Sequence, residues 1–271
     1  MSDAGAHRRQ VAEVFNRSAA DYDAEGHALF PRFARRLVEA AGVAPDQAVL
    51  DVATGTGQVL LAAAEAVGPG GRVVGIDLSE GMLDHARAAI SARGLAQAEV
   101  RVMDAEQLDF PDATFDRVLC GFGLSFMPDS TAALRQFYRV LRPGGVVGAT
   151  TFRAQPTMAW LKELMESFGV AGDGLVTRPL TNPDVLAAVF TEAGFAAVEV
   201  VAEDESRLYA DEDAWWRARW LGASRAGMEA MDEPTRERFR VVAYEGLQAH
   251  RTPVGFRLPS TVLIVTARRT S

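Results

Sequence analysis

Cysteine and lysine are almost missing from this sequence of 271 residues. Cys120 is the single cysteine, which excludes an intrachain disulfide and a cysteine-based zinc site, because each needs a second thiol. Lys162 is the single lysine, so arginine supplies nearly all of the positive charge. The net charge of −8 argues against nucleic acids and anionic membranes as partners, since both require a basic face.

Long apolar runs are also missing. None approaches the roughly 20 residues of a membrane-spanning helix, and the polar, charged start lacks the features of a signal peptide. We therefore expect a cytoplasmic protein that does not insert into a membrane. Histidine, aspartate and glutamate form no cluster with the spacing of metal ligands, so we expect no metal site. The sequence leaves the oligomeric state open, a homodimer included.

What the sequence does contain is an apolar run that ends in a glycine-rich turn. Residues 49–52 carry one carboxylate, Asp51, and are followed by the turn at residues 53–57 and by an alanine-rich helix. Gly55 and Gly57 allow a sharp turn and the close approach of a ligand, because they have no Cβ atom. Strand, glycine turn and helix together are the first unit of a nucleotide-binding α/β fold.

A second carboxylate, Asp77, ends the next apolar run. Its distance from the turn is about that at which nucleotide-binding folds place the residue that holds a ribose. A dinucleotide site would have a third glycine where Leu60 stands, and Asp51 would repel a pyrophosphate. A carboxylate suits a ligand that is cationic at that end, as S-adenosylmethionine (SAM) is. These residues therefore favour SAM over a dinucleotide.

The order of these motifs resembles that of the class I SAM-dependent methyltransferases. The matching segments are residues 49–58, 75–83, 103–106, 115–122 and 141–145. The chain is most similar to the small-molecule branch, which includes ubiquinone and menaquinone biosynthesis methyltransferases and natural-product methyltransferases. The resemblance covers roughly the first 150 residues by motif order. It departs from the family at Ala53, where the family often has glycine.

The resemblance implies SAM as cofactor, S-adenosylhomocysteine as product, and a small hydrophobic or aromatic acceptor. Asp51 is expected to face the methionine end, Asp77 to accept the ribose hydroxyls, and Asp104 to accept the adenine amino group. The expected cofactor residues are Tyr22, Asp51, Ala53, Thr54, Gly55, Gly57, Asp77, Leu78, Met82, Asp104, Ala105, Cys120 and Phe122. A packing role stays open for Tyr22, Met82 and Cys120, and a turn role for Asp104. For Asp51 the alternative is a buried carboxylate hydrogen-bonded to the glycine turn, and for Asp77 it is a cap of the next helix.

Strand and helix patterns alternate as far as residue 152, which predicts an α/β fold with a doubly wound, mostly parallel, Rossmann-like sheet of seven strands. The expected strands are residues 48–53, 72–78, 99–103, 115–120, 146–152, 195–202 and 260–267. Residues 1–271 are predicted to be a single methyltransferase domain. Its expected parts are a helical arm (1–45), a SAM-binding core (46–152), and the acceptor-binding helices with the last two strands (153–271), including a helical insertion at 203–258.

The predicted insertion is rich in aromatic residues, and we expect it to roof the active site. The candidate acceptor-binding residues are Phe15, Phe126, Trp215, Trp216 and Trp220. Packing within the insertion is the alternative for the tryptophans, and packing of the arm is the alternative for Phe15.

Methyl transfer from a sulfonium mainly requires alignment and exclusion of water, and a general base helps when the acceptor is a hydroxyl or a carbon acid. His27 and His250 are the candidate bases, and a surface or packing role stays open for both. Two other functions also stay open. One is a SAM-binding protein that catalyses a non-methylating step such as cyclisation, and the other is a dinucleotide-dependent oxidoreductase. The acceptor and the methylated atom (O, N or C) are not identified by the sequence.

Overall fold

The protein was analysed as a computed structural model, which describes residues 3–23, 29–170, 175–221 and 223–270. The described strands are β1 Ala48–Val52, β2 Arg72–Asp77, β3 Ala98–Val102, β4 Phe115–Gly121, β5 Leu141–Phe152, β6 Ala196–Tyr209, β7 Arg251–Thr252 and β8 Gly255–Arg268. The described helices are α1 Asp3–Ser18, α2 Leu29–Ala40, α3 Gln58–Val67, α4 Glu80–Arg93, α5 Ser130–Val140, α6 Pro156–Ser167, α7 Pro183–Glu192, α8 Glu212–Ala218, α9 Ser224–Ala230 and α10 Glu233–Leu247. None of these helices combines the length and apolar character needed to cross a bilayer.

One sheet organises the molecule, in the order β3-β2-β1-β4-β5-β8-β6, with the two-residue β7 paired to β8. Strands β1 to β5 are parallel, and β8 is antiparallel to both of its long neighbours. The predicted doubly wound, mostly parallel sheet is therefore confirmed. Because β1 to β5 run in one direction, their carboxyl ends meet at one edge, where α/β folds bind ligands.

Helices cover both faces of this sheet. Successive strand residues point to opposite faces, so Leu50 packs with α5 and α7 whereas its neighbour Val49 packs with α2 and α3. The helix starts follow ordinary capping chemistry. The Ser79 hydroxyl accepts a hydrogen bond from the Met82 amide at the start of α4, and the Asp129 carboxylate accepts one from the Ala132 amide at the start of α5.

The last two long strands differ most from the prediction. β6 extends to Tyr209 and β8 begins at Gly255, so the insertion comprises residues 210–254 and not 203–258. The run Glu203-Asp204-Glu205-Ser206 lacks the apolar alternation of a strand, which is why the predicted strand stops early. In the fold, Arg36 and Arg32 of α2 form ion pairs with Glu203 and Glu205, so the acidic residues are held as part of a strand.

A third apolar core lies outside the sheet. It joins α6, the end of β6, α8, α9, α10 and the start of β8, and its largest buried members include Trp215, Phe239 and Phe256. We call the elements around this core the roof. They contribute one side of the cavity described next.

Candidate active site

A cavity of about 940 Å³ lies between the carboxyl ends of the parallel strands and the roof. Its lining includes the residues at or just after the ends of β1 to β5, together with residues of α1, α2, α6, α8 and the end of β6. Ligand sites of proteins commonly have volumes of about 300–1,000 Å³. The cavity is at the upper end of that range and can hold two small molecules side by side.

The turn after β1 is built from left-handed backbone conformations. Gly55 and Gly57 have φ values of 55° and 93°, and Ala53 has a φ of 54°. An alanine in this region costs roughly 1 kcal/mol or more, which explains why the family often has glycine at that position. Gly123 leaves room for the extra methyl group, because a Cβ atom built on Gly123 would lie 2.4 Å from the Cβ of Ala53.

Asp51 stands behind this turn and is fully buried. The Thr54 hydroxyl donates to its Oδ2 at 2.6 Å, whereas its buried Oδ1 forms no hydrogen bond of acceptable geometry. Burial raises the pKa of Asp51 to about 7, and the hydrogen bond from Thr54 opposes that rise. Asp51 is not among the residues that line the cavity, and a cation close behind the turn would favour its charged form.

Asp77, the last residue of β2, joins two loops through its carboxylate. The Gly55 amide donates to its Oδ2 and the Ser79 amide to its Oδ1, each at 2.9 Å. Burial raises its pKa, and these backbone hydrogen bonds oppose the rise. Each carboxylate oxygen has a second lone pair, so Asp77 can also accept hydroxyl groups from the cavity, which it lines.

The loop after β3 carries two further carboxylates that contact the arm. Arg8 of α1 forms ion pairs with Asp104, at 2.9 Å, and with Glu106. His7 lies next to it with its Nε2 3.0 Å from the Phe126 carbonyl oxygen. α1 is therefore fastened over one end of the cavity. Arg8 was not among the predicted site residues, because the local sequence around an arginine on a solvated helix face does not indicate a partner that is distant along the chain.

Aromatic rings form a continuous wall from the arm to the end of β5, which we call the aromatic wall. Neighbouring ring centroids are 4.7–6.2 Å apart. Its members are Phe126, Phe15, Tyr22, Phe30, Phe122 and Phe152, and all six line the cavity. Burial raises the pKa of Tyr22 above its ordinary range, so the phenol stays neutral. Phe30 and Phe152 were not among the predicted site residues.

The roof tryptophans divide into two groups. Trp215 is fully buried, lines the cavity and lies with its ring centroid 6.2 Å from that of Trp160 in α6, which also lines it. Trp216 packs on Phe239 and lies outside the lining. Trp220 also lies outside it, where Arg236 stacks on its ring.

The end of β6 brings two arginines and a tyrosine into the same cavity. Arg219 donates to the Tyr209 hydroxyl at 3.2 Å and lies 4.9 Å above the Trp215 ring. Arg207 lies 4.7 Å above the ring of Phe152. Burial acts to raise the pKa of Tyr209, but the positive charges of Arg219 and Arg207 outweigh it and the pKa is lowered. None of these three was among the predicted site residues.

The remaining predicted residues are placed as follows. Thr54, Leu78, Met82 and Ala105 line the cavity, whereas Gly57 and Cys120 stand behind the lining. Burial raises the pKa of the Cys120 thiol to about 12, which makes it inert as a nucleophile. His250 lies in a single helical turn after α10, outside the lining, and His27 lies outside the described residues. In the described parts of the chain no group of three His, Cys, Asp or Glu side chains could hold a metal ion.

Comparison with known proteins places these features in context. The model of the ubiE/COQ5 methyltransferase family matches residues 2–171. Aklanonic acid methyltransferase DauC of Streptomyces sp. (strain C5) is 38% identical over 150 residues, which cover 55% of this chain and 68% of that protein. Nocamycin O-methyltransferase of Saccharothrix syringae is 30% identical over 272 residues, which cover 94% of this chain and 97% of that protein.

A solved structure from Bacillus halodurans C-125, assigned as a methyltransferase, has the same fold. Its TM-score is 0.64 at 24% sequence identity, and the match covers 88% of this chain and 99% of that one. The structural similarity therefore extends over most of the chain.

Proposed function

This chain belongs to the ubiE/COQ5 methyltransferase family and is a SAM-dependent methyltransferase of small molecules. From that premise we propose which part of its cavity binds SAM and which part binds the acceptor. SAM lies along the carboxyl ends of β1, β2 and β3. A planar, hydrophobic acceptor with an oxygen nucleophile lies between the aromatic wall and the roof. The observation that carries this proposal is the composition of the lining, which combines carboxyl groups at or just after the ends of β2 and β3 with six aromatic rings of the aromatic wall.

The residues at the strand ends fit SAM. A Cβ atom built on Gly55 would meet nothing within 4 Å, so the turn has open space in front of it. Asp77 presents free lone pairs to the cavity for the ribose hydroxyls, and the unsatisfied Oδ1 of Asp51 favours the cationic methionine end. Leu78 and Met82 supply apolar lining beside Asp77 for the adenine.

Asp104 requires a different interpretation from the one the family resemblance implies. Its carboxylate is already paired with Arg8. We therefore assign Asp104 a second role, which is to hold α1 over the adenosyl end of the cavity. The backbone of Ala105, which lines the cavity, remains available to the adenine ring.

The acceptor side is supported by the extent of the similarity. The match to nocamycin O-methyltransferase includes nearly the whole chain and so extends through the roof, whereas the match to aklanonic acid methyltransferase covers 55% of the chain. A roof shared with an O-methyltransferase supports oxygen as the methylated atom.

In this arrangement SAM supplies a methyl group that the sulfonium has already activated, so the protein contributes alignment and exclusion of water. The aromatic wall and Trp215 hold a planar acceptor by apolar contact. α1, fastened by Arg8, closes the cavity from solvent. No histidine lines the described part of the cavity, and His27 lies outside the described residues.

The cofactor assignment is tested by titrating SAM, S-adenosylhomocysteine and NAD into the protein and its Asp77→Ala variant by calorimetry. We expect the wild type to bind the first two and not NAD. Losing a hydrogen bond to a charged group costs about 1.5–3 kcal/mol, so the variant should bind SAM roughly 10- to 150-fold more weakly. Asp84→Ala on the exposed face of α4 is the matched control and should bind normally. An Asp77→Ala affinity within twofold of the wild type would remove Asp77 from the cofactor site.

A further inference from the structure

Arg207 and Arg219 are two cations of the cavity lining that have no counter-charge among the described residues. In the described residues neither guanidinium forms an ion pair with a carboxylate, although arginines on the surface commonly do, as Arg225 does with Glu229. Arg219 is partly buried, its buried Nε has no hydrogen-bond partner, and burial lowers its pKa. A buried charge without a partner is costly, which suggests that the missing partner is a ligand.

The fold brings both arginines to one hydroxyl group, that of Tyr209. Alternate residues of a strand share a face, so Glu203, Glu205, Arg207 and Tyr209 of β6 lie on the same side. The two glutamates are paired with α2, whereas Arg207 and Tyr209 lie farther along the strand and line the cavity. Arg219 reaches the Tyr209 hydroxyl from the end of α8. The pKa of Tyr209 is lowered because the electrostatic potential of Arg219 and Arg207 at its hydroxyl group is positive.

This positive region is continuous with the proposed acceptor space. Arg207 stacks on Phe152, and Phe152 stacks on Phe122 at the end of β4, with ring centroids 4.7 Å apart. Arg219 stacks on Trp215, whose ring also lines the cavity. An anion between the two guanidiniums would therefore belong to a molecule that lies against these aromatic rings.

We propose that Arg207 and Arg219 bind an acidic oxygen group of the acceptor in its anionic form, so that the enzyme selects planar molecules that carry a carboxylate or an acidic enol or phenol. Guanidinium groups suit such oxygens because they donate parallel hydrogen bonds from a planar fork. The Tyr209 hydroxyl accepts from Arg219 and can donate to the same anion. The proposal rests on the proposed function, since it concerns the acceptor side of that cavity.

The experiment compares three bicyclic probes of similar size, with and without S-adenosylhomocysteine: 2-naphthoate, the neutral 2-naphthamide, and 2-hydroxy-1,4-naphthoquinone, an acidic enol. Binding is followed by calorimetry and by fluorescence of the cavity tryptophans. A charged hydrogen bond predicts that at least one anion binds the wild type about tenfold or more tightly than the amide. The affinities for 2-naphthoate and for 2-hydroxy-1,4-naphthoquinone show whether the site prefers a carboxylate or an acidic enol.

Variants then show which residues cause the preference for the anionic probe over the amide. Arg219→Met keeps an apolar side chain over Trp215, and Arg207→Gln alters the other cation without touching Trp215. Each should reduce the preference for the anion to within about threefold, because one of the two charged donors is lost. Arg219→Lys should retain part of it. The matched control is Arg236→Gln, which removes a guanidinium stacked on Trp220 outside the cavity and should leave the preference unchanged. Melting temperatures confirm that each variant is folded.

The outcomes of this experiment test the acceptor proposal independently of the cofactor assignment. Equal binding of anions and amide by the wild type overturns it, as does an anion preference that survives in both Arg207→Gln and Arg219→Met. Failure of both anions to bind at millimolar concentration overturns it as well. The proposed function fails instead if S-adenosylhomocysteine does not bind the wild type, which the same titrations measure directly.

Discussion

The two sides of the cavity carry opposite charges. The strand-end side has the Asp77 carboxyl group in its lining and the Asp51 carboxyl group buried behind it, and burial raises the pKa of both. The roof side has Arg207 and Arg219, which lower the pKa of Tyr209. SAM is a cation at its sulfonium, and the acceptor inferred above is an anion. Each side therefore has the charge that attracts its own ligand and repels the other, which orders two ligands in one cavity without a wall between them.

The two sides also differ in how their residues are held. The strand-end residues come from short local segments, because a strand end, a glycine turn and a helix start place Asp51, Gly55 and Asp77 by backbone geometry. The roof residues come from distant segments, and the extended β6–β8 pair carries Arg207 and Tyr209 to them. The first side is thus a feature of the fold, and the second depends on the packing of the insertion.

Trp215→Ala should have the largest effect and should act on the roof side alone. Trp215 is fully buried, lines the cavity and supports Arg219. Removing a buried tryptophan typically costs about 3–5 kcal/mol. We expect a matching loss in the free energy of unfolding, weaker binding of naphthoate, and SAM affinity unchanged in the folded fraction. Chemical denaturation and calorimetry measure these quantities.

Trp216→Ala is the control for that change, because Trp216 packs on Phe239 outside the cavity lining. It should destabilise the roof less and leave naphthoate binding unchanged. If Trp216→Ala impaired naphthoate binding as much as Trp215→Ala, the division between the two tryptophans would be wrong.

Asp51→Asn should change how stability depends on pH. The pKa of Asp51 is about 7 in the folded protein and 3.8 is its ordinary value. Between these pH values Asp51 keeps its proton in the folded state and has lost it in the unfolded state. The free energy of unfolding of the wild type therefore falls as pH rises from about 4 to 7. At about 1.4 kcal/mol per pH unit, the total loss is up to about 4 kcal/mol. Below this window Asp51 contributes no loss, and above it the full loss persists.

The measurement is the difference in unfolding free energy between wild type and Asp51→Asn across pH 4–8, without SAM. The slope of that difference is the readout, since other titrating groups are common to both proteins. Asp77 changes stability in the same direction and remains in both. Parallel curves for the two proteins would show that Asp51 ionises normally in the fold.

Arg8→Gln should have the smallest effect and should act on the strand-end side. The Arg8 side chain is 21% exposed and its ion pairs join α1 to the loop after β3. Partly exposed ion pairs are worth about 0.2–1 kcal/mol, so SAM should bind less than about fivefold more weakly, with faster dissociation as α1 opens. Arg9→Gln, an exposed neighbour on α1, is the control. Stopped-flow dissociation rates identical in wild type and Arg8→Gln would show that α1 does not gate the cofactor.

Much of the strand-end side of the cavity was predictable, because it is built from residues that are close to one another along the chain. A glycine turn after an apolar strand, and an aspartate at the end of the next strand, predict which side chains meet at the sheet edge. Arg8 was not predictable, since its partners lie about a hundred residues away on another element. Arg207 and Tyr209 were missed for a related reason: the predicted β6 stopped at residue 202, where the acidic run begins, so both residues were assigned to the insertion.

The sequence alone determined the sheet, the order of the motifs and the carboxylates at the strand ends, because turn geometry and hydrophobic periodicity depend on residues that are close along the chain. Only the tertiary structure decided which aromatic residues face the cavity, that Trp215 lines it whereas Trp216 and Trp220 do not, and that two arginines flank Tyr209 there. Those outcomes depend on contacts between distant segments, in which an arginine of α2 stabilises a strand residue that local patterns assign to a loop.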